Sequence, residues 1–252
     1  MNYKNIKIEN RENYAVIEIA NNKNNSLDQE TLKEISFAAK SLNKIEKIKC
    51  IGLTGNSKFF SPGADIKELK NLNSKEAKKN KLFSFVDQLA KINIPIISFV
   101  DGYALGGGFE LALSTDIIIA SVDAKFGLPE INLGLIPGIG GTQKLKKFTS
   151  NQNIKYLAMT GDIINSETAF KYGIVSLIVP KENFKTFINE FLDKISLKPR
   201  KSLEMIKKLV NSEISQKKGI ILERKKFFNL LDSENKKIGI NSFLSKTKPN
   251  WK

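Results

Sequence analysis

The chain of 252 residues contains no histidine. That absence excludes Ser-His-Asp and Cys-His catalysis and every zinc site that needs an imidazole. Acid–base chemistry is left to Glu, Asp, Lys, Tyr, Cys or water. There is one cysteine, Cys50, so no disulfide can form within the chain. It sits in the apolar run CIGLTG (50–55) and reads as an inert buried strand residue. Long apolar runs are also missing: no stretch reaches the ~18 residues that a membrane span needs. The first twenty residues, MNYKNIKIENRENYAVIEIA, alternate and carry charge, so they read as strands rather than a signal peptide. A soluble, cytoplasmic protein is the expectation.

Arginine is scarce where lysine is not. Only Arg11, Arg200 and Arg224 contribute to the 41 basic residues, and the net charge is +15. Such a charge invites a nucleic-acid reading. Arginine, however, supplies the bidentate contacts to bases and phosphates, and lysine does not replace it there. Asparagine is abundant as well, in runs such as NNKNNS (21–26). The joint Lys and Asn excess looks like the coding bias of an AT-rich genome. The composition therefore points to a solvated lysine surface with a weak attraction for polyphosphates, and specific nucleic-acid binding is not expected.

What is present is enough for a sizeable core: 41% of residues are hydrophobic, in a length that fits one large domain or two small ones. YAVIEI (14–19) alternates as a strand, and Ser26 opens an S-x-x-Q capping box with Gln29 that predicts a helix to about Lys44. CIGLTG reads as a short strand. KFFSPGADIKEL (58–69) reads as a loop and helix start, and residues 75–92 show helical spacing at Leu82, Val86 and Leu89. IISFV (96–100), DIIIAS (116–121) and IVSLIVP (174–180) are strands, and a helix is predicted from Gly107 through Leu113. KFGLPEINLGLIPGIGGTQKL (125–145), with five glycines and two prolines, is loop-rich. After Pro180 the pattern is helical at 181–195, 200–212, 218–231 and 234–245. The result is an α/β core with a helical appendage, divided at 1–195 and 196–252.

The stretch YALGGGFELALSTD (103–116) places three glycines between a strand and a helix. Backbone N–H groups at a helix start lack internal partners and favour anions or carbonyl oxygens. The dinucleotide fingerprint fails here, where 106–111 reads GGGFEL, and fails at 138–143, where GIGGTQ ends in Gln. No Walker Gly-Lys-Ser/Thr occurs. Spacing alone serves a tight turn with close helix–strand packing equally well. Glu110 follows the triplet among Phe109, Leu111 and Ala112, and Glu130 lies in FGLPEINLG. An ionised carboxylate in such apolar company is costly without partners. In a chain without histidine, two such glutamates are a natural acid–base pair. The Gly63-Ala64-Asp65 segment offers further backbone N–H groups, and two from separate segments can form an oxyanion hole.

FFSPGADIKEL, IPIISFVDGYALGGGFELALSTDIIIAS and KFGLPEINLGLIPGIGGTQKL, in this order and spacing, resemble the signature blocks of the crotonase family, the enoyl-CoA hydratase/isomerase superfamily. GDIINSETAFKYGIVSLIVP (161–180) resembles its usual continuation. The resemblance implies an α/β fold, a crotonase-like spiral of β-β-α turns with a helical C-terminal trimerisation region, assembled as a homotrimer or a hexamer of two trimers. It implies an acyl-CoA thioester as substrate, with coenzyme A arriving as part of that substrate and no further cofactor or metal. Ala64 and Gly107 match the oxyanion positions. Glu110 matches the group that deprotonates the attacking water, and Glu130 the acid that protonates C2. With both glutamates present, the implied activity is hydration of a trans-2-enoyl-CoA, ahead of Δ3,Δ2-enoyl-CoA isomerisation or an RNA-binding homologue. Asp65, Ile66 and Lys67 match the segment lining the adenine pocket. Phe243 and Lys246 resemble a C-terminal pair that contacts CoA, often across a subunit boundary. Pro62 and Phe109 depart from the usual residues; Phe109 either narrows the acyl tunnel or packs behind Glu110.

Overall fold

The alternation at the start becomes a hairpin. In the computed structural model, which describes residues 3–22, 24–79 and 83–251, β1 (Ile6–Asn10) pairs antiparallel with β2 (Tyr14–Ile19), Ile8 opposite Ile17. From β2 the chain winds as a spiral. β3 (Cys50–Thr54), β5 (Ile96–Val100), β7 (Ile117–Ser121) and β10 (Leu177–Val179) extend the first sheet in parallel, in the order β1-β2-β3-β5-β7-β10. Between them β4 (Phe59–Ser61), β6 (Tyr103–Leu105) and β8 (Lys125–Gly127) enter a second sheet, closed by antiparallel β9 (Ile163–Asn165).

Helices fill the crossovers that parallel pairing requires. α1 (Gln29–Asn43) precedes β3, and α2 (Ile66–Asn71), α3 (Ser74–Lys79) and α4 (Ser84–Leu89) follow β4. α5 (Gly107–Ala112) follows β6. A 3-10 turn (Pro129–Leu133), α6 (Gly141–Lys144) and α7 (Asn151–Thr160) follow β8, and α8 (Ser166–Lys171) leads to β10. Each full turn gives one strand to each sheet and then a helix, which is the expected spiral of β-β-α turns.

Central parallel strands are buried on both faces, which is why IISFV is continuously apolar. Ile96 and Val100 face the main core beneath α1 and α5, whereas Ile97 and Phe99 face the opposite side. There α9 (Lys181–Ser196) covers them with Phe184, Ile188 and Leu192. Each such side chain contributes ~1.5–3 kcal/mol relative to exposure. Cys50 lies in this second layer, and burial pushes its thiol up to about 12.

The tail continues as α10 (Arg200–Val210), α11 (Gln216–Leu231) and α12 (Glu234–Leu244), none of which holds a buried residue. Two cations latch α10 to the core. The Arg200 guanidinium donates to the carbonyls of Asn43 (2.6 Å), Ile45 (2.6 Å) and Ile48 (3.0 Å). Lys207 Nζ lies 2.7 Å from Asp116 and donates to Ile94 O at 3.0 Å. Beyond this latch Val210, Phe227, Phe228 and Phe243 stay exposed.

Several local expectations shift. Asp28, not Ser26, caps α1, accepting from Thr31 N at 2.7 Å. Leu27 is held extended by a parallel bridge to Ala64, so the helix cannot begin before Asp28. The helical spacing over 75–92 resolves into α3 and α4, and Leu82 lies outside the described residues. The strand expected over 174–180 shortens to Leu177–Val179, because Ile174 and Val175 are buried in the turn after α8.

Candidate active site

The two loops that leave β4 and β6 meet because those strands are neighbours. Each glycine of the triplet has its own reason there. Gly106 takes φ +49°, and a β-carbon on it would stand 3.0 Å from Glu130 Oε1. Gly108 packs α5 directly on β4: its β-carbon would fall 2.3 Å from Ser61 O. Gly107 opens α5, and a β-carbon there would lie 3.6 Å from Ala64 N. It would narrow the space that an oxygen needs to approach both.

Among the described residues neither N–H has an acceptor, for different reasons. The bridge to Leu27 uses Gly63 O (2.8 Å) and Asp65 N (3.2 Å), which turns the N–H of Ala64 to the other side. The N–H of Gly107 is at the first position of α5, where no intrahelical acceptor exists. Two donors from separate segments thus face one space.

Glu110 lies one turn into α5 and is 1% exposed. Its Oε1 accepts from Ile139 N at 2.9 Å and Gly141 N at 2.6 Å. The GIGG run that fails as a phosphate loop therefore turns two of its N–H groups to the protein's own carboxyl. Burial still raises the Glu110 pKa, against the lowering effects of these amides and of Lys144. Glu130, on the 3-10 turn after β8, differs. Its buried Oε2 has no partner among the described residues. Burial, and then the charge of Glu110, lift its carboxyl to about 7. One carboxyl is held by donors and the other is left poised near neutrality, so the two carboxyls sit in unequal environments.

Ala64, Gly107, Glu110 and Glu130 line one cavity of about 270 Å³. Its remaining wall is largely apolar, with Leu32, Leu69, Leu72, Phe83, Leu135 and Ile139. Glu68 also lines it; burial raises its pKa, and its Oε2 accepts from Gln29 N at 3.3 Å. Phe109 is not in the cavity. It is fully buried against Phe126, with ring centroids 5.4 Å apart, so it packs behind Glu110.

The other expected residues sit apart from this cavity. Asp65 caps α2, its carboxylate accepting from Lys67 N at 2.8 Å. Ile66 and Lys67 are exposed beside it. Phe243, near the end of α12, is 84% exposed, and Lys246 follows at φ +55°. Neither lines the cavity within one chain. The reading of residue types did not find Lys144 and Ser114, whose bonds hold the loop that donates to Glu110. The only sign of them was a lysine one helical turn after a glycine pair.

Comparison with known proteins bears on the family and the fold. The family model for enoyl-CoA hydratase/isomerase matches residues 9–252. A probable mitochondrial enoyl-CoA hydratase of Dictyostelium discoideum is 39% identical over 229 residues, covering 90% of this chain and 83% of its own. A crotonyl-CoA hydratase of Syntrophomonas wolfei is 34% identical over 260 residues, covering 100% of this chain and 99% of its own. The crystal structure of an enoyl-CoA hydratase from Bacillus anthracis superposes with a TM-score of 0.94 at 27% identity, covering 99% of both chains.

Proposed function

This chain is an enzyme of the enoyl-CoA hydratase/isomerase family, and from that membership we propose that it hydrates trans-2-enoyl-CoA thioesters to 3-hydroxyacyl-CoA. One observation carries the reading: two differently held carboxyls, Glu110 and Glu130, share a mostly apolar cavity with two free backbone donors, Ala64 and Gly107.

The thioester oxygen accepts from the N–H groups of Ala64 and Gly107. Charge that develops on that oxygen as an enolate forms is stabilised there, and losing one such donor costs ~3–4 kcal/mol in the barrier. Glu110 takes a proton from water as its oxygen bonds to C3. Glu130 gives its proton to C2. Both groups open on the same cavity, and the course proposed with them, which the family resemblance implies, is a syn addition in which water and proton add to one face. Glu110 ends protonated and Glu130 ionised, and transfer of that proton back through the cavity resets the pair. Each positioned proton transfer is worth ~10²–10⁴-fold. No metal or separate cofactor is invoked, since coenzyme A arrives with the acyl group.

For the CoA moiety, the carboxylate of Asp65 is occupied in capping α2. The segment therefore offers its backbone, the exposed Ile66 and the Lys67 ammonium to the adenine end. Phe243 and Lys246 would reach a neighbouring subunit's CoA rather than this chain's own. The uncovered apolar face of α10–α12 supports a homotrimer or a pair of trimers, with 196–252 as the assembling and CoA-contacting region on a 1–195 core.

The test is the loss of conjugated-thioester absorbance when purified protein meets crotonyl-CoA and longer 2-enoyl-CoA thioesters. Hydration is expected, with Glu110→Gln and Glu130→Gln each reducing turnover by ~10²–10⁴-fold while the fold is kept. An unchanged signal across all chain lengths overturns the proposal. Faster conversion of 3-enoyl-CoA to 2-enoyl-CoA would reassign the site to isomerisation.

A further inference from the structure

Glu110 is fixed by a segment that has little to fix itself with. Residues 137–141 read PGIGG, and Ile136 just before them is 77% exposed. Glycines bring no side chain to pack, yet the N–H groups of Ile139 and Gly141 must stay within hydrogen-bond reach of one carboxylate oxygen.

Lys144 supplies the brace. Its Nζ donates to Ile139 O at 2.7 Å and to Ser114 Oγ at 2.6 Å. The Ser114 hydroxyl in turn donates to Glu110 O at 2.6 Å. The peptide units of Ile139 and Glu110 are thus tied into a ring that begins and ends on Glu110: carboxylate, Ile139 N–H, Ile139 carbonyl, ammonium, hydroxyl, Glu110 carbonyl. A long cation normally extends into water, and ordering one costs rotamer freedom. Here it is mostly withdrawn from solvent, at the one place where it spans the loop and the helix that carries the base.

The geometry points to Lys144 as a positioning residue for the proposed hydration, one that holds the 138–141 loop against Glu110 and keeps a positive charge beside the base. The inference rests on the hydratase reading of the site. The charges around this pair agree with it. Glu110 faces Lys144, and its own charge acts on Glu130; Lys144 also faces Asp87 of α4 and Lys147. The Lys144 charge favours ionised Glu110, opposing the burial that disfavours it.

The test compares Lys144→Met and Lys144→Arg with the parent protein. For Lys144→Met, kcat for an enoyl-CoA is expected to fall ~10–100-fold with KM changed less than ~3-fold, as expected when a base is misplaced by a fraction of an ångström. The acid limb of the kcat/KM profile should move to higher pH, because Glu110 loses its nearest cation. Lys144→Arg should restore most of the rate and return the limb. Amide hydrogen exchange over 136–142, read by mass spectrometry, should quicken in Lys144→Met and not in Lys144→Arg. That readout needs no turnover, so it still decides the role of Lys144 if the parent protein hydrates no enoyl-CoA and the hydratase reading falls. If Lys144→Met does not fold, Ser114→Ala removes the hydroxyl link with the charge intact, and a ~3–10-fold loss of kcat with an unmoved acid limb is expected. Parent-like exchange over 136–142 in Lys144→Met, an unmoved limb there, or full kcat in Ser114→Ala overturns the proposal.

Discussion

Replacing Glu130 by glutamine is expected to stabilise the protein above neutral pH even as it removes most of the turnover. The carboxyl is lifted from its ordinary 4.5 to about 7, first by burial and then by the charge of Glu110. A native state that binds a proton more tightly than the unfolded chain is stabilised by it. That contribution is intact below 4.5 and is lost as the pH rises through about 7. At about 1.4 kcal/mol per unit, the shift bounds the loss at ~3 kcal/mol. The carboxyl opens on a cavity that water can enter, and screening reduces the figure to ~1–2 kcal/mol. Glutamine has no proton to lose, so the variant keeps its stability across this window. In a chain of this length the difference amounts to ~2–8 °C in Tm. Thermal melts of parent and Glu130→Gln at about pH 5 and about pH 8, at one ionic strength, read it directly. The variant should gain on the parent between the two conditions. An offset equal at both, or a gain for the parent on the alkaline side, would refute the view that Glu130 is a carboxyl held protonated by its site.

Gly108→Ala places a β-carbon 2.3 Å from Ser61 O, so α5 and β4 must move apart by about an ångström. Because α5 carries Gly107 and Glu110, while the loop after β4 carries Ala64, kcat should fall ~10²-fold and stability by ~1–3 kcal/mol. Parent-like kinetics in a folded variant would contradict that packing. Val210→Lys combined with Phe227→Lys adds charge to the uncovered face of the tail helices. Light scattering should show a smaller assembly than the parent, and an unchanged mass would remove this face from the interface.

The parts of the fold set by side-chain period were legible early. The buried run of β5, the alternation of β2 and the four C-terminal helices follow from patterning that extends over five residues or more. The second sheet was not legible, since β4, β6, β8 and β9 hold three residues each and owe their pairing to neighbours brought up by the first sheet. Ser26 satisfied a local capping rule that the bridge at Leu27 overrode from 37 positions away. In the site, residue type and apolar company singled out Glu110 and Glu130. The resemblance implied unequal roles for them, but the difference in their surroundings was hidden, because the donors to one and the missing partner of the other's Oε2 among the described residues arise only once the 3-10 turn and the glycine loop fold over α5. Lys144 resembled any other lysine in a chain rich in them, and only its bonds distinguish it.

The amides that hold Glu110 come from positions 29 and 31 residues later in the chain. On a ribosome, α5 is therefore finished long before its carboxylate has anything to grip. During that interval the growing chain carries the residues of β2, β3 and β5, its glycine triplet and both backbone donors, but neither amide that holds Glu110. The interval ends when Gly141 and Lys144 clear the exit tunnel and the next crossover settles. The order of synthesis thus separates this carboxylate from its donors: a chain that ends before Ile139 carries Glu110 without either amide.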